Sequence, residues 1–338
     1  MIITKTPFRI SFFGGGTDMP EFFNENYGSV ISTTFDKYVY VTVRHLPRFF
    51  EYSTEVIYSK TERITSIDEM QHPMVRNAMK MLDMHELHIA YDADLPARTG
   101  LGTSSTFAVG LLNAFYCLKG RHKSKKELAN DAIYLERTLC NEAGGWQDQI
   151  AAAFGGLNRI DFKDGKYHVN PIIISPKRKE LLNNNLMLFF TGFTRFSAEI
   201  QESTKCSIKD KNIQLKEMLK LVDEAQEVLE NEDRDLDDFG VLLDKTWKLK
   251  KQTGPNISKS SIDELYEKGM EAGALGGKLL GAGGGGFLLF YVRESKQNDV
   301  RKALANLMEV PFKFENGGTR VIYYTPEVYD RKNCGENL

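Results

Sequence analysis

Hydrophobic and polar residues alternate along two long stretches near the start of the chain, Ile2–Phe13 and Ser29–Arg44. Both stretches are rich in Val, Ile, Thr, Phe and Tyr, which favour extended structure, and a period of two places alternate side chains on one buried face. The pattern predicts antiparallel strands, so we expect the core to begin as a sheet.

Helical patterns follow these strands and are introduced by recognisable start signals. Ser66–Glu69 is a capping box that predicts a helix through about Met84, and Ser124–Glu127 is a second one that predicts a helix through about Asn141. Between them the stretch DLPARTGLGTSSTFAVGLLNAFYCL predicts a loop that leads into an apolar helix. The Asp-Gly pair at 164–165 predicts a hairpin turn between two strands.

The pattern of hydrophobic and charged residues changes after the three asparagines at 183–185. A predicted strand, LMLFFTG, leads into a long charged helical region, and the passage KLLGAGGGGFLLFYV then predicts two strands around a glycine loop. A helix near 298–309 and a closing strand, RVIYY, complete the pattern. We therefore predict two domains, 1–183 and 184–338. Because sheet and helix mix without a repeating βαβ rhythm, the predicted fold class is α+β.

Composition narrows the classes of function. The chain has 338 residues and a formal net charge of -2, so nothing in its overall charge favours nucleic acid or an anionic membrane, and small molecules are the expected partners. The four cysteines are scattered without CxxC spacing, which argues against a zinc site or a disulfide scaffold and predicts a cytoplasmic protein. No oligomeric state is predicted.

The stretch TPFRISFFGGGTD, residues 6–18, ends a strand pattern in three glycines, a threonine and an aspartate. Glycines allow backbone N–H groups to turn toward a ligand, and a short carboxylate beside them can hold hydroxyls. We interpret this first motif as a polyol site.

The stretch PARTGLGTSST, residues 96–106, places two glycines and then hydroxyl residues at the start of the apolar helix. Free N–H groups and the positive end of the helix dipole suit a phosphate, and a hydroxyl can bind Mg²⁺. The stretch is not a P-loop, because no lysine precedes the hydroxyl. Taken alone, the stretch fits a helix N-cap after a glycine turn better than a phosphate site.

Two carboxylates are candidates for kinase chemistry. Asp148 lies in GGWQDQIAAAFGG, where it could orient or deprotonate an attacking hydroxyl, and Glu136 could hold magnesium. The alternatives are a backbone cap for Asp148 and a solvated charge for Glu136. A third glycine-rich stretch, GAGGGG at 281–286, predicts a loop that packs on another loop or on a ligand rather than a simple turn.

Taken in order, these stretches resemble the three signature motifs of the GHMP small-molecule kinases, the superfamily of galactokinase, homoserine kinase and mevalonate kinase. The family pattern Pro-x-x-x-Gly-Leu-Gly-Ser-Ser is kept from Pro96 to Ser104, with Thr103 for the first serine. The resemblance implies an N-terminal domain with a left-handed βαβ unit, where pattern reasoning alone predicts a right-handed crossover, and a ferredoxin-like C-terminal domain. It also implies ATP and Mg²⁺ as cofactors, Asp148 near the acceptor hydroxyl, and magnesium held by Ser104 and Glu136. The implied ATP phosphate ligands are Gly100, Leu101, Gly102, Thr103, Ser104, Ser105 and Thr106, and the implied third glycine motif is Gly283, Gly284 and Gly285.

Within the superfamily the first motif resembles the sugar kinases, which read Pro-Gly-Arg and end in Glu-His-Thr-Asp. The resemblance implies that Arg9 is a catalytic cation beside Asp148. It implies sugar binding by Gly15, Gly16, Thr17, Asp18 and Asp148.

The chain departs from that pattern in having Gly15-Gly16 in place of Glu-His, a form similar to bacterial D-glycero-D-manno-heptose 7-phosphate kinases. This resemblance implies phosphorylation of the anomeric hydroxyl of a heptose 7-phosphate, a step toward nucleotide-activated heptose for surface glycans. Gly15 is then expected to clear room for a longer sugar; alternatively, it adopts a positive φ that a side chain would strain. Lys5 and Arg195 are the candidate ligands of the sugar phosphate.

Two other functions stay open at this stage. One is a fucose-type or other hexose 1-kinase of the same superfamily, and the other is a non-catalytic sensor of sugar and ATP on the same fold.

Overall fold

The computed structural model describes residues 1–47, 49–97, 99–192, 212–254, 257–281 and 283–326. Its first two strands confirm the alternation of the sequence. Strand β1 (Ile2–Phe13) pairs antiparallel with β2 (Gly28–His45), from Ile2 opposite Val43 to Phe13 opposite Ile31.

Strands β1 and β2 are the centre of a nine-stranded sheet whose main path runs β13-β1-β2-β5-β3-β4. Strands β12 and β6 also pair with β2, and β7 pairs with β6. The turn Asp164-Gly165 has positive φ at both residues, and it confirms the predicted hairpin between β6 and β7. The other strands of this sheet are β3 (Thr54–Ile57), β4 (Thr61–Ile64), β5 (Leu87–Ala93), β6 (Asn158–Lys163), β7 (Lys166–Pro171), β12 (Phe314–Glu315) and β13 (Arg320–Tyr324).

Helices pack against this sheet, and the apolar helix α3 (Thr103–Leu118) packs directly on β1 and β2. The prediction of a helix starting at Ser66 is wrong, because the Ser66 capping box closes only a 3-10 turn at Ile67–Glu69. The helix α2 begins later, at a proline that fits the first helical position because it needs no N–H partner there. The remaining helices before the second sheet are α1 (Pro20–Phe23), α2 (Pro73–Met81), α4 (Lys125–Tyr134), α5 (Gln147–Phe154) and α6 (Pro176–Asn184).

The second sheet has four antiparallel strands in the order β11-β8-β10-β9. In chain order these are the fourth, first, third and second strands, which is the split βαβ arrangement of a ferredoxin-like fold, so this prediction is confirmed. Its elements are β8 (Leu186–Phe190), α7 (Asn212–Glu230), α8 (Asp237–Lys251), α9 (Ser260–Glu271), β9 (Gly276–Leu279), β10 (Phe287–Tyr291), α10 (Glu294–Ala303) and β11 (Met308–Glu309).

The chain ends by returning to the first sheet. Strand β13 pairs with β1, and β12 pairs with β2, although the sequence analysis assigned both strands to the second domain. The predicted cut at residue 184 falls at the end of α6, just before β8. The parallel pair formed by β3 and β5 provides a βαβ crossover through α2, and the hand of that crossover stays a prediction.

Helix α8, from the second half of the chain, packs on the end of β1 through aromatic side chains. The ring of Phe239 in α8 lies 5.3 Å from that of Phe12 and 5.1 Å from that of Phe13. These rings are fully buried, so the end of the first motif is fixed by packing from the second half of the chain. Within the described residues, we find no helix with the length and apolar character needed to span a bilayer.

Candidate active site

Arg9 and Asp148 form an ion pair at the centre of the predicted site. The Arg9 guanidinium donates from Nε to Asp148 Oδ1 and from Nη2 to Oδ2, both at 2.7 Å, and from Nη1 to the carbonyl of Gly100 at 2.8 Å. Arg9 is 4% exposed, whereas about a quarter of the Asp148 side chain (24%) reaches solvent. A two-pronged contact fixes the plane of the carboxylate, so its open side presents an oriented acceptor to a ligand.

Asp18 braces the start of the helix that carries Asp148. Its carboxylate accepts hydrogen bonds from the backbone N–H groups of Gly16 at 2.9 Å and Gln147 at 3.3 Å, and its carbonyl accepts from Trp146 at 3.0 Å. Burial raises the pKa of Asp18, and the Asp148 charge adds to this effect. Asp18 therefore ties Gly16 of the first motif to the start of α5.

The glycines of the first motif differ in whether their backbone conformation and neighbouring atoms exclude a side chain. Gly14 and Gly16 have φ of +76° and +104°, and a Cβ atom on Gly14 would lie 1.9 Å from the carbonyl oxygen of Ser29. Gly15 is outside the positive φ region, and a Cβ atom there would meet nothing closer than 3.7 Å. The alternative of a positive φ at Gly15 is therefore wrong. Thr17 Oγ1 donates to the carbonyls of Gly14 and Ser29, which makes it a brace of the same turn.

The second motif forms the N-terminus of α3. Gly102 is the N-cap, with φ of +77° in the left-handed region, and the first helical N–H groups lack partners within the helix. A Cβ atom on Gly102 would lie 3.3 Å from Asp148 Oδ2, so a side chain here would fill the space between the helix end and the carboxylate. The buried Thr103 Oγ1 has no hydrogen-bond partner. A phosphate fits this position, because it can use the free N–H groups and this hydroxyl beside Asp148.

Glu136 lies on a π-helical turn, Leu135–Leu139, that continues α4. Such turns are rare and often mark functional sites. The carboxylate is 3% exposed and accepts a hydrogen bond from Gln149 Nε2, so the alternative of a solvated charge is wrong. Burial raises the pKa of Glu136 to about 8, and the charge of Glu142 adds to this effect.

Ser104 joins the second motif to these carboxylates. Ser104 lies in the exposed first turn of α3, and its hydroxyl partly offsets the rise that burial causes in the pKa of both Glu136 and Glu142. Among the described residues no group of three or more His, Cys, Asp or Glu side chains could hold a metal ion. Magnesium needs fewer, since it is often held by one or two carboxylates together with substrate phosphates. Ser104 and Glu136 fit that ion, because a cation would offset two neighbouring negative charges.

The third motif packs against the second, as predicted. A Cβ atom on Gly281 would lie 2.3 Å from the Cα atom of Gly100, and one on Gly286 would lie 2.1 Å from the carbonyl oxygen of Thr99. The predicted residues Gly283 and Gly284 face another segment, where the N–H of Gly284 donates to the carbonyl of Ile257 at 2.9 Å. Gly285 has a φ of +151°.

Lys278 connects the third motif to the first. Its Nζ atom donates to the carbonyls of Ser11 at 2.9 Å and Phe12 at 2.7 Å, where the pairing register of β1 with β2 shifts. Burial lowers the pKa of Lys278 well below its usual range, and the charges of Lys250 and Arg9 add to this effect. The bulge leaves backbone carbonyls that the ladder does not satisfy, and Lys278 supplies their donors.

Lys5, one of the two candidate ligands of the sugar phosphate, is not brought to this cluster. Lys5 lies four residues before Arg9, on the side away from the glycines, and its Nζ atom is 3.7 Å from the centroid of the Tyr38 ring. Four strand residues span roughly 13 Å. Arg195 lies outside the described residues. The role of both side chains stays a prediction.

Sequence reasoning missed several side chains of the site. Gln147 and Gln149 flank Asp148 in the visible pattern Gln-Asp-Gln, and their position at a predicted helix start was a usable signal. Glu142 and Lys278 gave no such signal, because their relation to Ser104 and to the β1 bulge is a product of the fold.

Comparisons with known proteins agree with this arrangement. Residues 72–156 match the GHMP kinases N terminal domain, and residues 218–310 match the GHMP kinases C terminal domain. D-glycero-alpha-D-manno-heptose 7-phosphate kinase of Campylobacter jejuni is 30% identical over 319 residues, which cover 90% of this chain and 93% of that protein.

Two further relatives define the breadth of the similarity. The bifunctional fucokinase/GDP-fucose pyrophosphorylase of Arabidopsis thaliana is 28% identical over 243 residues, 70% of this chain but only 23% of that longer protein. A D-glycero-D-manno-heptose 1-phosphate kinase from Bacteroides thetaiotaomicron has the same fold, with a TM-score of 0.71 and 24% identity over 98% of this chain and all of that one (100%). An oriented carboxylate beside a helix N-terminus, on a two-domain scaffold shared with these enzymes, identifies the chain as a member of the GHMP kinase family and an ATP-dependent sugar kinase.

Proposed function

We propose that this enzyme transfers the γ-phosphoryl group of ATP to the anomeric C1 hydroxyl of D-glycero-D-manno-heptose 7-phosphate in the cytoplasm, with Mg²⁺ as cofactor. The observation that carries the proposal is the ion pair of Arg9 and Asp148 directly beside the N-terminus of α3. This is where an acceptor hydroxyl and a terminal phosphate can meet within bonding range. The product is the 1,7-bisphosphate.

Asp148 accepts the proton of the C1 hydroxyl while the oxygen of that hydroxyl attacks the γ-phosphorus. The new C1–O–P bond forms as the bond between the γ-phosphorus and the bridging oxygen breaks, and ADP leaves with that electron pair. Arg9 holds the carboxylate in place through both of its oxygens. Phosphoryl transfer depends mainly on positioning and electrostatic stabilisation, which a rigid pair of this kind provides.

The phosphates of ATP bind the segment Gly100–Thr106, whose glycine backbone lets them approach the helix N-terminus. Ser104 and Glu136 hold the magnesium ion. When bound, that ion offsets negative charge on the transferring phosphoryl group. Gln149 orients Glu136 through the hydrogen bond from its side-chain amide.

The sugar binds between Asp148 and the first motif, in contact with the segment Gly15–Asp18. Support for a heptose 7-phosphate comes from the Campylobacter relative, whose name states that substrate and which aligns over 90% of this chain. The space beside Gly15 suits an acceptor that is longer than a hexose. Lys5 and Arg195 are proposed ligands of the 7-phosphate.

A second candidate is a fucose-type hexose 1-kinase. It is favoured by the similarity to the Arabidopsis protein, whose name includes fucokinase and which matches 70% of this chain. The two candidates differ in whether the acceptor already carries a phosphate.

The test is a screen of acceptors by ADP release coupled to NADH oxidation. D-glycero-D-manno-heptose 7-phosphate, L-fucose, D-mannose, D-galactose and mannose 6-phosphate are compared by kcat/KM, and a no-sugar control gives the background ATPase. We expect the heptose 7-phosphate to exceed the unphosphorylated sugars by at least about a hundredfold, since a site built for charged groups rejects analogues that leave those groups unpaired. A preference for a free hexose supports the second candidate, and binding without turnover of any sugar supports a sensor.

A further inference from the structure

Beside Gly15, the site contains polar side chains that no step of the proposed reaction uses. A Cβ atom on Gly15 would lie 3.7 Å from Ser11 Oγ and 3.8 Å from Gln147 Nε2, and nothing else comes within 4 Å. The space that glycine leaves is therefore bordered by one hydroxyl and one amide.

Both side chains have an oxygen without a partner. Ser11 is 7% exposed and Gln147 is 9% exposed, and neither Ser11 Oγ nor Gln147 Oε1 has a hydrogen-bond partner among the residues that the structure describes. A buried polar atom that lacks a partner is uncommon in native proteins and requires an explanation. Ser11 Oγ borders the space at Gly15, and Gln147 borders it through Nε2, the other polar atom of the same amide. Two incompletely bonded side chains at one space indicate that a polar ligand completes them.

The position of these atoms relates them to the reaction centre. Ser11 is two residues after Arg9 in β1, and no register shift lies between them, so the two side chains share one face of the strand. Gln147 immediately precedes Asp148 in the first turn of α5, and Asp18 accepts a hydrogen bond from its backbone N–H. The hydroxyl and the amide are thus held from two elements that also hold the ion pair.

We propose that Ser11 and Gln147 bind hydroxyl groups of the acceptor sugar in the space beside Gly15, and that they determine which sugars are accepted. A serine hydroxyl and a glutamine amide each both donate and accept hydrogen bonds, as sugar hydroxyls do. Asp18 keeps this pocket in shape through the N–H groups of Gly16 and Gln147. This inference rests on the proposed function, because it needs an acceptor sugar next to Asp148.

The variants Ser11→Ala and Gln147→Leu remove the two polar groups with little change of volume. Each should raise the KM for D-glycero-D-manno-heptose 7-phosphate about five- to tenfold, the effect of one lost hydrogen bond, and leave the KM for ATP unchanged. Calorimetric titration of the same sugar phosphate in the presence of the β,γ-imido analogue of ATP should show an equal loss of affinity. Thr246→Val is the matched control, because it removes another buried hydroxyl without a partner, in α8.

Gly15→Ala tests the space itself. Since Gly15 lacks a positive φ and has room for Cβ, this variant should keep the unfolding temperature of the wild type and still raise the KM for the sugar phosphate. Gly14→Ala, with a φ of +76° and a Cβ only 1.9 Å from a carbonyl oxygen, should instead lower the unfolding temperature.

The inference is overturned if Ser11→Ala and Gln147→Leu leave the sugar KM and the calorimetric affinity unchanged, which would mean that water alone completes these atoms. It is also overturned if sugar and ATP KM rise together. If the wild type prefers another acceptor, that result contradicts the heptose assignment, and the same variants are then measured with the preferred acceptor.

Discussion

The first and third motifs are both glycine-rich, yet their glycines serve different purposes. In the third motif, Gly281 and Gly286 are required by contact, because any Cβ atom would lie within 2.3 Å of the backbone of the second motif. In the first motif, Gly15 has no positive φ, and a Cβ atom there would make only ordinary contacts with Ser11 and Gln147, so its missing side chain leaves space beside those two groups. The third motif is therefore a packing device between loops, whereas the middle of the first motif keeps a ligand site open.

The difference shows that glycines in a run can be required for two separate reasons: a backbone conformation or close contact that excludes a side chain, or the space that a missing side chain leaves for a ligand. Substitutions around Asp148 should change catalysis with little change of stability, and substitutions in the third motif should do the reverse. The predictions below test that separation, from the largest expected effect to the smallest.

Asp148→Asn should lower kcat by roughly 10²–10⁴, the usual contribution of a general base. The amide keeps the size of the carboxylate but cannot accept the hydroxyl proton, so sugar and ATP affinities should change little. Steady-state kinetics and calorimetry check this expectation. Unchanged turnover would remove Asp148 from the chemistry, and a large loss of unfolding temperature would make its role structural.

Gly281→Ala should lower the free energy of unfolding by about 3 kcal/mol, because it combines a strained φ with a clash against the second motif. Gly120→Ala is the control: Gly120 also has a positive φ, +67°, but a Cβ atom there meets nothing within 4 Å. Urea unfolding followed by circular dichroism measures both variants. Equal losses in the two would show that strain alone matters and that the contact between the motifs is unimportant.

Glu136→Gln should raise the magnesium concentration needed for half-maximal activity at least about tenfold, since loss of groups around a bound metal typically costs that much. The same substitution should increase the stability of the metal-free protein above neutral pH. The pKa of Glu136 is raised from 4.5 to about 8 in the fold, so its stabilising contribution is complete below pH 4.5 and is lost as the pH rises through 8.

In metal-free buffer, the glutamine variant should therefore become more stable than the wild type as the pH is raised from 5 to 9. Thermal unfolding across that range measures the difference. A parallel pH dependence of the two proteins would contradict the burial of an ionisable group at this position.

Lys278→Met should have the smallest effect near neutral pH, because the loss of two hydrogen bonds to β1 is partly offset by removal of a buried polar amine. The pKa of Lys278 is lowered by burial, so its contribution to stability is present above its unfolded value of 10.5 and is lost as the pH falls. The stability difference between wild type and variant should grow as the pH is raised from 7 to 10. A constant difference would mean that Lys278 stays charged in the fold.

Much of the site was predictable because its motifs are local. Asp148 and the start of α3 followed from short patterns of glycine, hydroxyl and carboxylate residues, and Arg9 followed from the resemblance of the first motif to the sugar kinases. What sequence could not predict depends on contacts between distant segments: the return of β13 to β1, the pairing of Lys278 with the β1 bulge, and the approach of Gln147 to Ser11. The start of α2 was misplaced because a capping box marks the start of any helical turn, including the short 3-10 turn found at Ile67–Glu69.

The position of the new phosphate group in the product tests the central claim most directly. The enzyme is incubated with D-glycero-D-manno-heptose 7-phosphate, ATP and Mg²⁺, and the product is analysed by two-dimensional NMR that correlates ³¹P with ¹H. The account predicts a second phosphorus signal coupled to the anomeric proton, with the 7-phosphate retained. A new phosphate on any other carbon, or release of inorganic phosphate without a phosphorylated sugar, would contradict it.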